Sequence, residues 1–243
     1  MSEARHIVKS YGQELQLLRG LMTAMGGMVE NQVALATDAI LHGDAGVAAR
    51  AVELDGQVDA QEREAEQLVI RMLALRQPMA DDLRQVVGAM KITAAMERIG
   101  DYAKNIARRS IVLGEHRLPF SRTGIANMSR LVQENLKLVI DAIGENDAAK
   151  ARQAWQADLA IDEIYNSIFR ELVTYMMEDA RNITPCTHLL FIAKNLERIG
   201  DHATNIAEHV HYAVTGEPLR EERPKSDGSA FAGVHLPDDA DSA

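Results

Sequence analysis

Apolar residues recur along most of this chain at alternating steps of three and four. Ile92, Met96, Ile99, Ala103 and Ile106 form one such run, and at about 100° per residue they share one face of a helix. Glu97, Asp101 and Asn105 then fall on the opposite face, one turn apart. Alternating β-branched runs are missing, so the pattern predicts no strands. Breaks punctuate the helical stretches. His42-Gly43-Asp44 and Gly144-Glu145-Asn146-Asp147 are turns with Asp44 and Asp147 as N-caps. Arg76-Gln77-Pro78 and Asn182-Ile183-Thr184-Pro185 are a second pair, each placing Pro near the first turn of the next helix. Gly114 to Arg122, with Pro119, separates two halves. The pattern therefore predicts six helices of about 25–38 residues, rods roughly 40–55 Å long.

The halves are copies of one another. Residues 97–107 read Glu-Arg-Ile-Gly-Asp-Tyr-Ala-Lys-Asn-Ile-Ala, and residues 197–207 read Glu-Arg-Ile-Gly-Asp-His-Ala-Thr-Asn-Ile-Ala. Only 102/202 and 104/204 differ. Upstream, the halves align at an offset of 103, matching Asp38 with Asp141, Ile40 with Ile143, Asp44 with Asp147 and Val58 with Ile161. Each half has the same order: helix, turn, helix with Asp-x3-Asp, turn, helix with Glu-x3-Asp. The architecture expected is all-α, two tandem three-helix bundles. The first spans residues 1–116 and the second 117–216. Residues 217–243, rich in Pro, Gly and acids, form a tail expected to be disordered.

The polar residues of the repeat carry chemical information, because a packed core dictates only the apolar ones. Two carboxylates at i and i+4 repel and cost an isolated helix roughly 0.2–0.5 kcal/mol. Keeping such a pair in both copies points to a positive charge between the carboxylates. A polar face inherited through duplication is the alternative. A second acidic pair precedes each copy, Asp55 with Asp59 and Asp158 with Asp162. These are oxygen-only donors. They suit hard cations such as Mg²⁺ or Ca²⁺, and iron or zinc with added water or hydroxide bridges. Gly100 and Gly200, inside helices where Gly costs about 1 kcal/mol against Ala, are expected where a neighbour comes close.

Composition narrows the function classes. A net charge of −10, from 36 acidic and 26 basic side chains, argues against binding nucleic acid as the main task. It suits a cation or a basic protein partner. A single cysteine, Cys186, excludes an intrachain disulfide and fits a reducing compartment. No signal peptide and no stretch of about 20 apolar residues is visible. No Gly-rich phosphate loop, Cys-pair zinc spacing or nucleophile elbow appears. Glu-x-x-His occurs at Glu3/His6 and Glu208/His211, but at helix ends. A di-iron bundle would place such motifs centrally.

The doubled Glu-Arg-Ile-Gly-Asp-x-x-x-Asn-Ile resembles the signature of the PhoU family, accessory regulators of bacterial phosphate-specific transport. Met25-Gly26-Gly27-Met28-Val29-Glu30, Arg76-Gln77-Pro78 with Asp82-Leu83-Arg84, and Leu172-Val173-Thr174-Tyr175-Met176-Met177-Glu178-Asp179 extend the resemblance over about residues 5–215. It implies a cytoplasmic, non-enzymatic homodimer that restrains phosphate uptake and the phosphate-starvation response. Its implied partners are the sensor histidine kinase of the phosphate regulon and the ATPase component of the phosphate ABC transporter, through which alone it would meet the membrane. It further implies divalent or trivalent metal ions (Mg, Fe or Zn) on carboxylate clusters. In this sequence those carboxylates are Asp55, Asp59, Glu97 and Asp101, then Asp158, Asp162, Glu197 and Asp201. Glu62, one turn beyond Asp59, corresponds to Tyr165, so the first cluster looks the more acidic. A metal-dependent enzyme and a purely structural bundle with solvated acids are the competing classes.

Overall fold

The computed structural model describes residues 2–114 and 122–219, with side chains from Tyr11 onward. Among these residues the regular structure is all helical, with no strand. Helix α1 (Ser2–His42), α2 (Ala45–Arg76) and α3 (Asp81–Gly114) pack on one another as the first bundle. Helix α4 (Thr123–Glu145), a rod made of α5 (Ala148–Gln156) and α6 (Asp158–Glu178), and α7 (Ile183–Thr215) form the second. The boundary expected at 116/117 and the tail from 220 onward lie outside the described residues. Within the expected tail, Leu219 packs against the core.

Periodicity explains the rods. In α1, Leu18, Met22, Met25, Val29, Val33, Ala36 and Ile40 are all buried at steps of three and four. In α3, the run from Ile92 to Ile106 faces inward as the spacing requires. Both predicted N-caps form. The Asp44 carboxylate accepts from the backbone N–H groups of Gly46 and Val47, and Asp147 accepts from Ala149 and Lys150. These bonds satisfy donors that the first turn would leave orphaned.

Three features depart from expectation. The fifth rod is interrupted at Ala157, whose N–H is shared between the carbonyls of Gln153 and Ala154. Its backbone stays right-handed, at φ −72° and ψ −16°, so the rod continues with a slackened ladder. Pro78 stands in the α2–α3 connection ahead of α3, between Gln77 and Ala80 in left-handed conformations. Pro185 does lie in the first turn of α7. The second-half break begins earlier than expected, at Asp179, and runs through a 3₁₀ turn, Ala180–Asn182.

The bundles join along two seams. Helices α3 and α7 run antiparallel: Arg84 reaches Gly216, Gly88 meets Ala213, Tyr102 meets His202, and the Arg109 guanidinium covers the Phe191 ring. In the second seam Gly26 lets α1 approach α4, since a Cβ there would lie 3.1 Å from Ile140. Arg122, at the N-terminal end of α4, donates to the Ile40 and Leu41 carbonyls at the end of α1. The Tyr102–His202 contact, with ring centroids 5.6 Å apart, brings the two repeat copies together at the middle of the main seam.

A candidate cation site in each bundle

Each acidic motif lies where the repeat is most tightly packed. A Cβ on Gly100 would lie 3.0 Å from Gln32 Oε1 and 3.3 Å from Val58 Cγ1. A Cβ on Gly200 would lie 3.1 Å from Ile161 Cδ1 and 3.4 Å from Asp158 Oδ1. Val58 and Ile161 are equivalent positions, so glycine allows the second and third helices of each half to approach in the same way. That approach carries Asp55 towards Asp101 and Asp158 towards the turn holding Asp201.

In the first bundle, Asp55 and Asp101 share one cation, the ammonium of Lys104. Its Nζ lies 2.7 Å from Asp55 Oδ2 and 2.5 Å from Asp101 Oδ1. The Lys104 side chain is only 18% exposed. Glu97 completes the group. Burial first, then the negative charge of Asp101, raises its pKa, and Asp59 adds to the effect. Thus Asp55, Asp59, Glu97 and Asp101 do gather across α2 and α3, whereas Asn105 is exposed. Sequence reading missed Lys104, although 104/204 is one of the two positions at which the repeat copies differ.

The second bundle solves the same problem differently. Asp158 and Asp162 are buried, at 1% and 9% exposure, where Asp55 and Asp59 are half-buried. Thr204 stands in place of Lys104 and turns its hydroxyl to the Gly200 carbonyl within α7. Glu197 accepts from Lys194 through Oε1 at 2.7 Å. Its Oε2 is buried without a hydrogen-bond partner; the nearest guanidinium nitrogen, Arg198 Nε, is 3.8 Å away. Burial, opposed by Lys194 and reinforced by Asp201, raises the Glu197 pKa. Tyr165, the counterpart of Glu62, places its ring 5.0 Å from the Lys194 ammonium. The expectation that the first cluster is simply the more acidic therefore overlooks its lysine and the deeper burial of the second.

Among the described residues no group of three or more His, Cys, Asp or Glu side chains converges as a ready metal shell. In the first bundle an ammonium holds the position a metal would need, and the residues do not fit one. In the second, the donors are oxygens and one buried Glu197 oxygen lacks a hydrogen bond, a chemistry that suits a hard cation, with Lys194 and Arg198 beside Glu197 and Arg198 3.7 Å from Asp201. The remaining candidates are structural. Arg98 and Arg198 lie against the neighbouring Glu97 and Glu197. Glu208 accepts from the Trp155 indole, and the His211 ring faces the Glu217 carbonyl; the side chains of Glu3 and His6 lie outside the described residues. Cys186 is buried, and burial pushes its thiol up, which makes a poor nucleophile at neutral pH.

Both halves match the PhoU domain, over residues 22–110 and again over 125–210. The chain belongs to the PhoU family. A Caulobacter vibrioides protein described as a phosphate-specific transport system accessory protein PhoU homolog is 51% identical over 223 residues. That alignment covers 91% of this chain and 97% of the relative. A Zymomonas mobilis protein of the same description is 46% identical, covering 90% and 93%. The crystal structure of PhoU from Pseudomonas aeruginosa superposes with a TM-score of 0.83 at 40% identity, covering 85% of this chain and all of that one. A phosphate transport system regulatory protein PhoU from Streptococcus pneumoniae gives 0.80 at 28% identity. PhoU membership accounts for the two-bundle architecture. No helix of the described residues is long and apolar enough to cross a membrane.

Proposed function

We propose that this chain is the accessory regulator of a phosphate-specific transport system. In this reading it restrains phosphate uptake and the phosphate-starvation response by linking the phosphate ABC transporter to the phosphate-sensing histidine kinase. One observation carries the proposal: near end-to-end identity of 51% with a protein described as a phosphate-specific transport accessory protein. The physical form of the molecule supports a docking role. Rods of 32 to 34 residues such as α2, α3 and α7 offer long rigid faces. A net charge of −10 steers basic partners over distances of about a Debye length, 8–10 Å at physiological salt. The regulator works in the cytoplasm as a homodimer and reaches the membrane only through its partners, the kinase and the transporter ATPase.

The acidic pairs belong to the same reading. Asp158, Asp162, Glu197 and Asp201 would hold a divalent or trivalent metal ion (Mg, Fe or Zn). Such an ion would neutralise buried carboxylates and fix α6 against α7. No nucleophile or general base is assigned, and no turnover is expected.

The test is genetic. Deleting the gene should leave a phosphate-responsive promoter active in phosphate-rich medium, and the intact chain supplied in trans should silence it. Normal repression in the deletion strain would overturn the proposal. Substrate turnover by the purified protein that vanishes in an Asp101→Ala/Asp201→Ala variant would move it to the enzyme class instead.

A further inference from the structure

We infer that Lys104 is the resident cation of the first bundle and keeps a metal ion out of the space between Asp55 and Asp101. The inference rests on reading the acidic pairs as cation sites, and it divides them: the first is satisfied from within the chain.

Geometry carries the argument. The Lys104 ammonium touches carboxylates from two different helices, at 2.7 and 2.5 Å. A hard metal ion would sit about 2.0–2.6 Å from the same oxygens, so it and the ammonium compete for one volume. Two cations a few ångströms apart in a partly desolvated site repel too strongly to coexist. The side chain is mostly covered, and leaving would cost both ion pairs at once.

The repeat supplies an internal comparison. Glu, Arg, Gly, Asp and Asn recur at equal positions in both copies, while lysine at 104 becomes threonine at 204. Thr204 spends its hydroxyl on its own helix, on the Gly200 carbonyl. The second bundle has its own lysine, Lys194, one turn before Glu197 and paired to it along α7. The first-bundle equivalent of that residue is Ala94. The lysine has therefore changed place between the halves. In the first it ties α2 to α3 through two aspartates, and in the second it pairs with the glutamate of its own helix.

The experiment uses the full-length protein, stripped with EDTA and titrated with Mn²⁺, with free Mn²⁺ followed by electron paramagnetic resonance and melting followed by circular dichroism. Asp55→Asn should bind as much Mn²⁺ as the wild type. Lys104→Thr should bind more Mn²⁺ than the wild type; its melting temperature in EDTA should fall and should recover as Mn²⁺ is added. Lys104→Arg, which keeps the charge, should show neither change. A loss of Mn²⁺ in Asp55→Asn, or no gain in Lys104→Thr, overturns the inference. Should Lys104→Thr fail to fold, Lys104→Gln, close to lysine in length and without its charge, takes its place and should show the same gain of Mn²⁺; no gain overturns the inference. Asp158→Asn reports on the second bundle separately. Unchanged Mn²⁺ there would refute the metal reading of that bundle, while the Lys104→Thr comparison would still judge the lysine.

Discussion

Adding one methyl group at Gly100 should destabilise the protein, and adding it at Gly200 should not. Both substitutions gain the helix propensity of alanine, about 1 kcal/mol. The surroundings differ. At Gly100 the new Cβ meets Gln32 Oε1 at 3.0 Å and Val58 Cγ1 at 3.3 Å. Gln32 is fully buried, and its amide N–H is tied to the Ala51 carbonyl at 3.1 Å. Val58 is buried and stiff at χ1. Neither neighbour yields without losing a hydrogen bond or a rotamer, so the overpacking penalty falls in the upper part of its usual range, about 2–3 kcal/mol. The net loss is about 1–2 kcal/mol, a melting temperature lower by about 2–8 °C for a chain of this size. At Gly200 the tight contact is the Cδ1 end of Ile161 at 3.1 Å, with Asp158 at an ordinary 3.4 Å. An isoleucine tip can rotate, so the penalty is about 1 kcal/mol and cancels the propensity gain. Thermal and urea denaturation followed by far-ultraviolet circular dichroism measures both. Adding Val58→Ala to Gly100→Ala should show favourable coupling of about 0.5–2 kcal/mol, since one wall of the clash is gone. A Gly100→Ala protein as stable as the wild type, or a larger loss at Gly200, would refute the reasoning.

Trp155, the sole tryptophan, is 2% exposed and donates to Glu208 at 3.0 Å; Trp155→Ala should cost about 3–5 kcal/mol, or roughly 6–20 °C in melting temperature. His209 is pulled below its ordinary value of 6.5, first by burial and then by Lys91. The unfolded chain therefore takes up its proton first on acidification, and stability should fall as the pH drops below about 6.5 towards the folded value. His209→Gln should flatten that part of a melting-temperature profile, and an unchanged slope would rule His209 out as its source.

Much of the fold was readable because its causes are local. The three–four apolar spacing, the Asp44 and Asp147 caps and the glycines at 100 and 200 each act within a turn or between adjacent helices. The interruption at Ala157 was not readable: Gln156-Ala157-Asp158 carries no proline or glycine to mark it. Nor do Gln77 and Ala80 advertise left-handed backbones, which residues of their kind seldom adopt. The grouping of Asp55, Asp59, Glu97 and Asp101 across α2 and α3 was readable. What holds them was not, since burial of Asp158 and Asp162 against partial exposure of Asp55 and Asp59 is decided by packing between elements. Lys104 was visible in principle, three residues after Asp101 and at a position where the copies disagree. Gln32 and Asn135, buried amides at the same offset of 103, could have been found by aligning the first helices of the halves. Their roles still differ: Gln32 reaches the Ala51 carbonyl, while Asn135, one methylene shorter, leaves both amide atoms without a protein partner.

The Tyr102–His202 contact at the centre of the seam has a consequence for what such a molecule can become. In an assembly of two identical chains, a residue on the two-fold axis can meet only itself, and any change there is made twice. Here the two sides of that contact are encoded separately. A tyrosine can face a histidine, and a few residues along, a lysine in one half can answer to a threonine in the other. Joining the copies in one polypeptide keeps the geometry of a dimer while freeing its two halves to specialise.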